Sequence, residues 1–287
     1  MKLLLSICTG VNLGADGSEK NFREIKAVGY DAVDYQSFCT EPGTGLFAKS
    51  ASEFERFLIR DRDAAKEIGL IIGQTHGVWP YDDTKPENYG AKFEAMLKSI
   101  EGTAILGAPY VVIHPVLPTL WNPSEHHEKD LESNIEYVKK LEPYAKKYNV
   151  KLALENMPNP HVPCGHVKEL KACLDAVNSD YVVACMDVGH CTAISDGAGD
   201  MARMLGDKLR VLHMHDNDGR RDIHMLPYQG VTDWTDFAKA IREIGYQGTL
   251  SLETTSRSKF PNLPENLRPE IDQWIFKTLC HIRDMAS

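Results

Sequence analysis

Residues 211–230 read VLHMHDNDGRRDIHMLPYQG, and their first half turns from an apolar run into a cluster of metal-binding side chains. Arg210, Val211 and Leu212 have the character of a short buried strand, and His213, His215, Asp216, Asp218, Asp222 and His224 follow at once. Imidazoles and carboxylates crowded at one strand end are costly to bury unless a metal, a substrate or one another satisfies them. The stretch therefore reads as the rim of a metal site. The fold must be one that brings other strand ends to the same place.

Working outward, every apolar run in the chain alternates with an amphipathic one. Expected strands lie at Lys2–Cys8, Ala32–Tyr35, Leu70–Thr75, Tyr110–Ile113, Val150–Leu154, Tyr181–Met186, around Val211, and at Gly248–Leu252. Between them the spacing predicts a helix that Ser18 caps and Gly29 closes, and one that Ser52 caps and Gly69 ends. Further helices are expected at Pro86–Leu106, Ser124–Tyr148, Val167–Val177, Gly199–Leu205, Asp233–Ile244 and Pro264–Met285. No linker or low-complexity segment interrupts the series, so the expected architecture is one closed (β/α)8 barrel domain over residues 1–287. A doubly wound open sheet would usually carry a glycine-rich nucleotide turn after an early strand, and Thr9-Gly-Val-Asn-Leu-Gly matches that poorly.

With that alternation in place, the polar residues fall in phase. His76, His114, Glu155, Asp187, His213 and Glu253 each follow directly on an apolar run, at the ends of strands three to eight. In a (β/α)8 barrel these ends face one mouth, where active sites are built. A single such histidine would be read as a hydrogen-bonded rim residue, but six strands keeping the same phase would not arise independently. Glu155, Asp187, His213 and Glu253 form an oxygen-rich set suited to one divalent ion, Mn2+, Mg2+, Co2+ or Zn2+, with positions left for substrate oxygens. One of the two glutamates can then take a proton from carbon and the other return it. Trp79, Tyr81 and Trp121 are expected in long connections over the mouth. Arg220 is a candidate for a substrate phosphate or carboxylate, with a solvated loop residue as the plainer reading. His215, just beyond the strand-end His213, is expected to be a residue that orients a ligand.

Composition narrows the partners. A net charge of −9 over 287 residues argues against a protein that lives on nucleic-acid backbones. Seven cysteines without paired spacing fit a reducing compartment. The opening MKLLLSIC is too short an apolar run for a processed leader and reads as the first strand, and no run approaches a membrane span, so a cytoplasmic location is expected. No organic cofactor is called for.

The segments LALEN at Glu155, CMDVGH at Asp187 and His190, VLHMHD at His213, DIHMLPYQG at Asp222 and His224, and LSLET at Glu253 resemble the xylose-isomerase-like superfamily of TIM barrels over nearly the whole chain. Its members include sugar isomerases and epimerases and the metal-dependent apurinic/apyrimidinic endonucleases. The resemblance to the epimerases implies that Glu155, Asp187, His213 and Glu253 bind one metal, that Glu155 and Glu253 are the acid/base pair, and that His190 contacts substrate. Xylose isomerases carry a lysine two residues after the strand-five glutamate, where this chain has Met157; proton transfer through an enediolate is therefore expected rather than a hydride shift. The resemblance to the endonucleases implies nine zinc ligands, for which His76, His114, Glu155, Asp187, His190, His213, Asp222, His224 and Glu253 are candidates. The acidic, aromatic loops after His76 and His114 suit a small sugar better than DNA. A sugar-binding barrel without catalysis is the remaining alternative. Isomerisation against epimerisation, the phosphorylation of the sugar, and assembly into a homo-oligomer stay open.

Overall fold

The computed structural model describes residues 2–10, 18–79, 88–116 and 123–287. Strands and helices alternate as β1 (Leu4–Cys8), α1 (Glu19–Val28), β2 (Ala32–Tyr35), α2 (Ala51–Ile68), β3 (Ile71–His76), α3 (Asn88–Leu106), β4 (Tyr110–Ile113) and α4 (Pro123–Tyr148). The second half runs β5 (Lys151–Glu155), α5 (Val167–Val177), β6 (Val182–Asp187), α6 (Val188–Ala193), α7 (Ala198–Leu205), β7 (Leu209–His213), α8 (Trp234–Glu243), β8 (Thr249–Leu252), α9 (Ser256–Lys259) and α10 (Arg268–Ala286).

All strand pairs are parallel, each strand lies beside its sequence neighbours, and β1 also pairs with β8. Between β7 and β8 the ladder thins to one bridge, where Met214 N–H donates to Ser251 O and Glu253 N–H to Met214 O. The sheet is thus a nearly closed (β/α)8 barrel. Its interior is packed by small and branched side chains, Val112, Ala153, Val183, Cys185 and Val211. The larger apolar cluster fills the space between strands and helices. Both layers follow from strands buried on two faces, which is why they read as continuous apolar runs. All seven cysteines are unpaired and six are buried. No helix of the described residues is long and apolar enough to cross a membrane.

Two helix starts differ from expectation. Ser18 does precede α1, but its hydroxyl donates to Asp61 Oδ2 at 2.5 Å and caps nothing. The buried Asp61 needs that donor, as it needs the Tyr35 hydroxyl at 2.8 Å. The cap of α2 is Ser50 and not Ser52: Ser50 and Glu53 bond each other's backbone N–H in a capping box. The short α6, unforeseen in the sequence, begins directly on Asp187, whose carboxylate accepts the His190 N–H at 2.6 Å. Tyr81 and Trp121 lie outside the described residues.

Candidate metal centre

Asp187 on β6 sits opposite His213 on β7 in the parallel register, and Glu155 ends β5 beside them. Asn156 ties β5 to β6 by accepting the Asp187 N–H at 2.8 Å and donating to Asp187 O at 3.2 Å. The result is an inner group at the centre of the mouth. His213 Nδ1 stands 2.8 Å from Glu155 Oε1 and 3.5 Å from Glu253 Oε2, and its Nε2 stands 3.1 Å from Asp34 Oδ2. His114 Nε2 is 3.0 Å from Glu155 Oε2 and 3.1 Å from His76 Nε2. The His76 and His213 rings stack at 5.7 Å and 7°. Trp79 leans on the His114 ring at 4.5 Å.

An outer group lies beside it, carried partly by the connection after β7. His190 Nε2 is 3.4 Å from Asp222 Oδ2, and His224 Nε2 is 3.4 Å from Asp222 Oδ1. His215 Nε2 contacts Asp187 Oδ2 at 3.0 Å, and its ring stacks on His224 at 3.9 Å. His215 therefore touches the cluster directly, more than the orienting position expected of it: it stands two residues after His213, on the same face of a chain that continues through a bridge at Met214.

Asp216, part of the same sequence stretch, does other work. Its buried carboxylate accepts the backbone N–H groups of Asn217, Tyr228, Gly230 and Thr232, the Thr232 hydroxyl and Trp234 Nε1–H, at 2.7–3.1 Å. Asn217 adds a bond to Gly189 O and one from Ile223 N–H. Together they fold the connection that presents Asp222 and His224. A Cβ at Gly230 would overlap Asp216, and one at Gly189 the His215 ring, so both positions need glycine for close approach. Asp218 pairs with Arg221. Arg220 lies exposed, its backbone N–H on Asp218 Oδ1, and among the described residues its side chain contacts none of the cluster.

Electrostatics sharpen the picture. Burial would raise the Glu155 carboxyl, yet His213 and His114 hold it well below its usual range. Burial pushes Glu253 up to about 8 against the pull of His213 and His224. Burial, then His114, lowers His76 to about 4. Burial opposes the charge on His190 and His224, but Asp187 and Asp222 carry His190 up to about 10, and Asp222 and Glu253 carry His224 up to about 9. Among the described residues no lysine or arginine pairs with Glu155, Asp187 or Glu253, so histidines are the only ionisable bases that face these carboxylates. Buried carboxylates without a fixed cation are expensive.

The donor set fits a divalent cation. Glu155 Oε2 is buried and, despite its distance to His114, makes no hydrogen bond. Four imidazoles are already oriented: Nδ1 of His76, His190, His215 and His224 faces the carbonyl oxygens of Gly77, Asn156, Asp216 and Glu253, at 3.0, 2.7, 3.4 and 3.3 Å. A carbonyl only accepts, so Nδ1 carries the proton and Nε2 is the nitrogen turned inward, the usual preparation of a metal-binding histidine. Ligand atoms lie within 4.8 Å of one another in three sets: Glu155, Asp187, His213 and Glu253; His76, Glu155 and His213; and His190, His215, Asp222 and His224.

Sequence reasoning missed Asp34 and Gln36, which reach the group from β2 and just beyond it; Gln36 Nε2 donates to Glu253 Oε1 at 3.3 Å. The apolar character of that short strand hid them, although a charged residue inside a fully buried strand was a signal.

A (β/α)8 barrel whose mouth gathers carboxylates and pre-oriented imidazoles from six successive strands has the donor set of a candidate metal centre. The sequence pattern of the xylose isomerase-like TIM barrel family matches residues 22–278, and the chain belongs to that family. D-psicose 3-epimerase of Enterocloster bolteae is 26% identical over 254 residues, 82% of this chain and 76% of that one. Inosose isomerase of Bacillus subtilis is 24% identical over 168 residues, 56% of this chain and 58% of its own length. Probable endonuclease 4 of a Geobacillus strain is 27% identical over 177 residues, 54% of this chain and 57% of that one. The match to an uncharacterized protein of Sinorhizobium fredii likewise spans about half of that relative, 52%. The crystal structure of D-psicose 3-epimerase in the presence of D-fructose superposes with a TM-score of 0.77 over the whole of both chains at 17% identity, which shows the shared fold.

Proposed function

We propose that the chain is a divalent-metal-dependent sugar or sugar-phosphate isomerase or epimerase that works by proton transfer beside a carbonyl. The observation that carries this reading is the convergence of Glu155 and Glu253, from β5 and the end of β8, on His213 at 2.8 and 3.5 Å with no lysine or arginine paired to them among the described residues. Glu155, Asp187, His213 and Glu253 would hold the metal, which when bound polarises a substrate carbonyl. One glutamate removes the proton from the neighbouring carbon and the other returns one, each within reach of the same bound sugar. His190 and His224 present Nε2 atoms to substrate hydroxyls, and Trp79 beside His114 offers an apolar wall for the sugar carbons. Arg220, exposed and without an ion pair to the cluster among the described residues, is given no part in this reading. The relatives named D-psicose 3-epimerase and inosose isomerase support it.

Replacing Glu155 or Glu253 by Gln should lower kcat by about 10²–10⁴-fold while far-UV circular dichroism stays unchanged. Full turnover of ketoses in either variant would sink the assignment. One observation favours a second reading, a trinuclear zinc endonuclease: the outer group brings three histidines and Asp222 within 4.8 Å. Elemental analysis separates the two, with one ion per chain for the sugar enzyme and three, together with cleavage of abasic DNA, for the nuclease. Deuterium exchange into ketoses excludes a barrel that only binds sugar.

A further inference from the structure

His213 is oriented the opposite way from the other inward-facing imidazoles. His76, His190 and His224 place Nδ1 on a backbone carbonyl and turn Nε2 inward. His213 turns Nδ1 inward, to Glu155 and Glu253, and its Nε2 has no carbonyl to meet. What Nε2 meets is Asp34, at 3.1 Å.

Asp34 is an unusual residue for its place. It is fully buried in the four-residue β2, and neither carboxylate oxygen makes a hydrogen bond. Its one ion pair among the described residues is with His213. The β2–β3 register shifts between Val33 and Asp34, from Val33↔Ile72 to Asp34↔Gln74. The extra residue, Gly73, lies on β3 opposite this step, and such irregularities gather beside functional sites. A buried carboxylate and a buried N–H that face each other at hydrogen-bond distance, both otherwise without partner, satisfy one another after a small turn of the ring. The His76 ring, stacked parallel on His213, limits that turn to the ring's own plane.

We propose that Asp34 is the positioning residue of the centre: it accepts the Nε2–H of His213, and so fixes the tautomer whose free Nδ1 lone pair faces the metal position. This rests on His213 being a ligand, as the preceding reading has it. Asp34 touches neither metal nor substrate, and acts through His213 alone.

The test is metal affinity, read on the purified chain by competition with a chromogenic chelator for Zn2+ and by the visible absorption of the Co2+ form. D34N should weaken Zn2+ binding about 10–100-fold, the usual size of such an outer contact, and alter the Co2+ spectrum at saturating metal. H213Q should weaken binding at least as much. Adding D34N to H213Q should then cost less than threefold, because the residue it acts through is gone. Equal Zn2+ affinity in D34N and wild type, or the full loss from D34N in the H213Q background, would overturn the inference. Should D34N not fold, D34E, which keeps the acceptor on a longer stem, is measured instead: a changed Co2+ spectrum supports the role and an unchanged one overturns it. Failure of the underlying reading looks different, since H213Q would then bind Zn2+ like wild type.

Discussion

The inner and outer halves of the mouth are built from the same side chains and rest on different supports. Glu155, Asp187 and His213 sit on the strands themselves, nearly inaccessible, in a register fixed by the barrel ladder. His190 rides on the short α6, and Asp222 and His224 ride on a connection with no strand or helix of its own, their side chains 27% and 34% exposed. A strand end is held by its neighbours' hydrogen bonds. The outer connection is held chiefly by Asp216 and Asn217, two side chains that never touch the ligand position. Precision in the inner half thus comes from the fold, and in the outer half from a local hydrogen-bond hub that one substitution can remove.

The largest break in this comparison is D216A. It leaves at least four donors around Tyr228, Gly230, Thr232 and Trp234 without their acceptor, and should cost about 3 kcal/mol or more of stability. Hydrogen exchange should show protection lost across 217–232 while β5 and β6 keep theirs. Equal loss in both regions would mean that the two halves fold as one unit.

A smaller and more local effect is expected from H224A. The ring is partly exposed, stacked on His215 and 3.4 Å from Asp222, and the melting temperature should move little. If the proposed contact of His224 with a substrate hydroxyl holds, kcat/KM should fall about tenfold while Zn2+ affinity at the inner half stays within threefold. A parallel collapse of metal affinity would show that the two halves share one ion.

The mildest effect belongs to a position outside both halves. Glu53, in the capping box of α2, is held below its ordinary value near 4.5 by the Ser50 hydroxyl and then the Ser50 N–H. A carboxyl depressed in the folded state contributes stability above the unfolded value and loses it as pH falls through the folded one. The stability difference between wild type and E53Q should therefore be present at pH 6 and shrink steadily below pH 4.5, read from thermal melts, with the mouth unaffected.

Much of this molecule is visible in its sequence, for reasons particular residues make plain. Glu155, Asp187 and His213 end apolar runs, and an apolar run buried on both faces has few other readings; the barrel and the phase of its candidate ligands followed together. Ser18 shows where such reasoning stops. Its place before α1 was right, but its hydroxyl went to Asp61, a residue 43 positions away that no local pattern connects to it. Asp34 and Asp216 were missed for different reasons: Asp34 lies inside an apolar strand and has its partner on the far strand β7, whereas Asp216 read as one more member of the metal-binding cluster until the folded connection brought six donors within 18 residues onto it.

What the sequence determined by itself is the order of strands and helices, the barrel, and the ring of carboxylates and histidines at strand ends, because periodicity and chain order are local properties. What only the tertiary structure decided is which nitrogen of each histidine faces inward, that Asp216 builds the outer connection while Asp222 and His224 are presented by it, and that Asp34 stands behind His213. Those are distances between segments, and they exist only once β1 has met β8 and the mouth has closed around them.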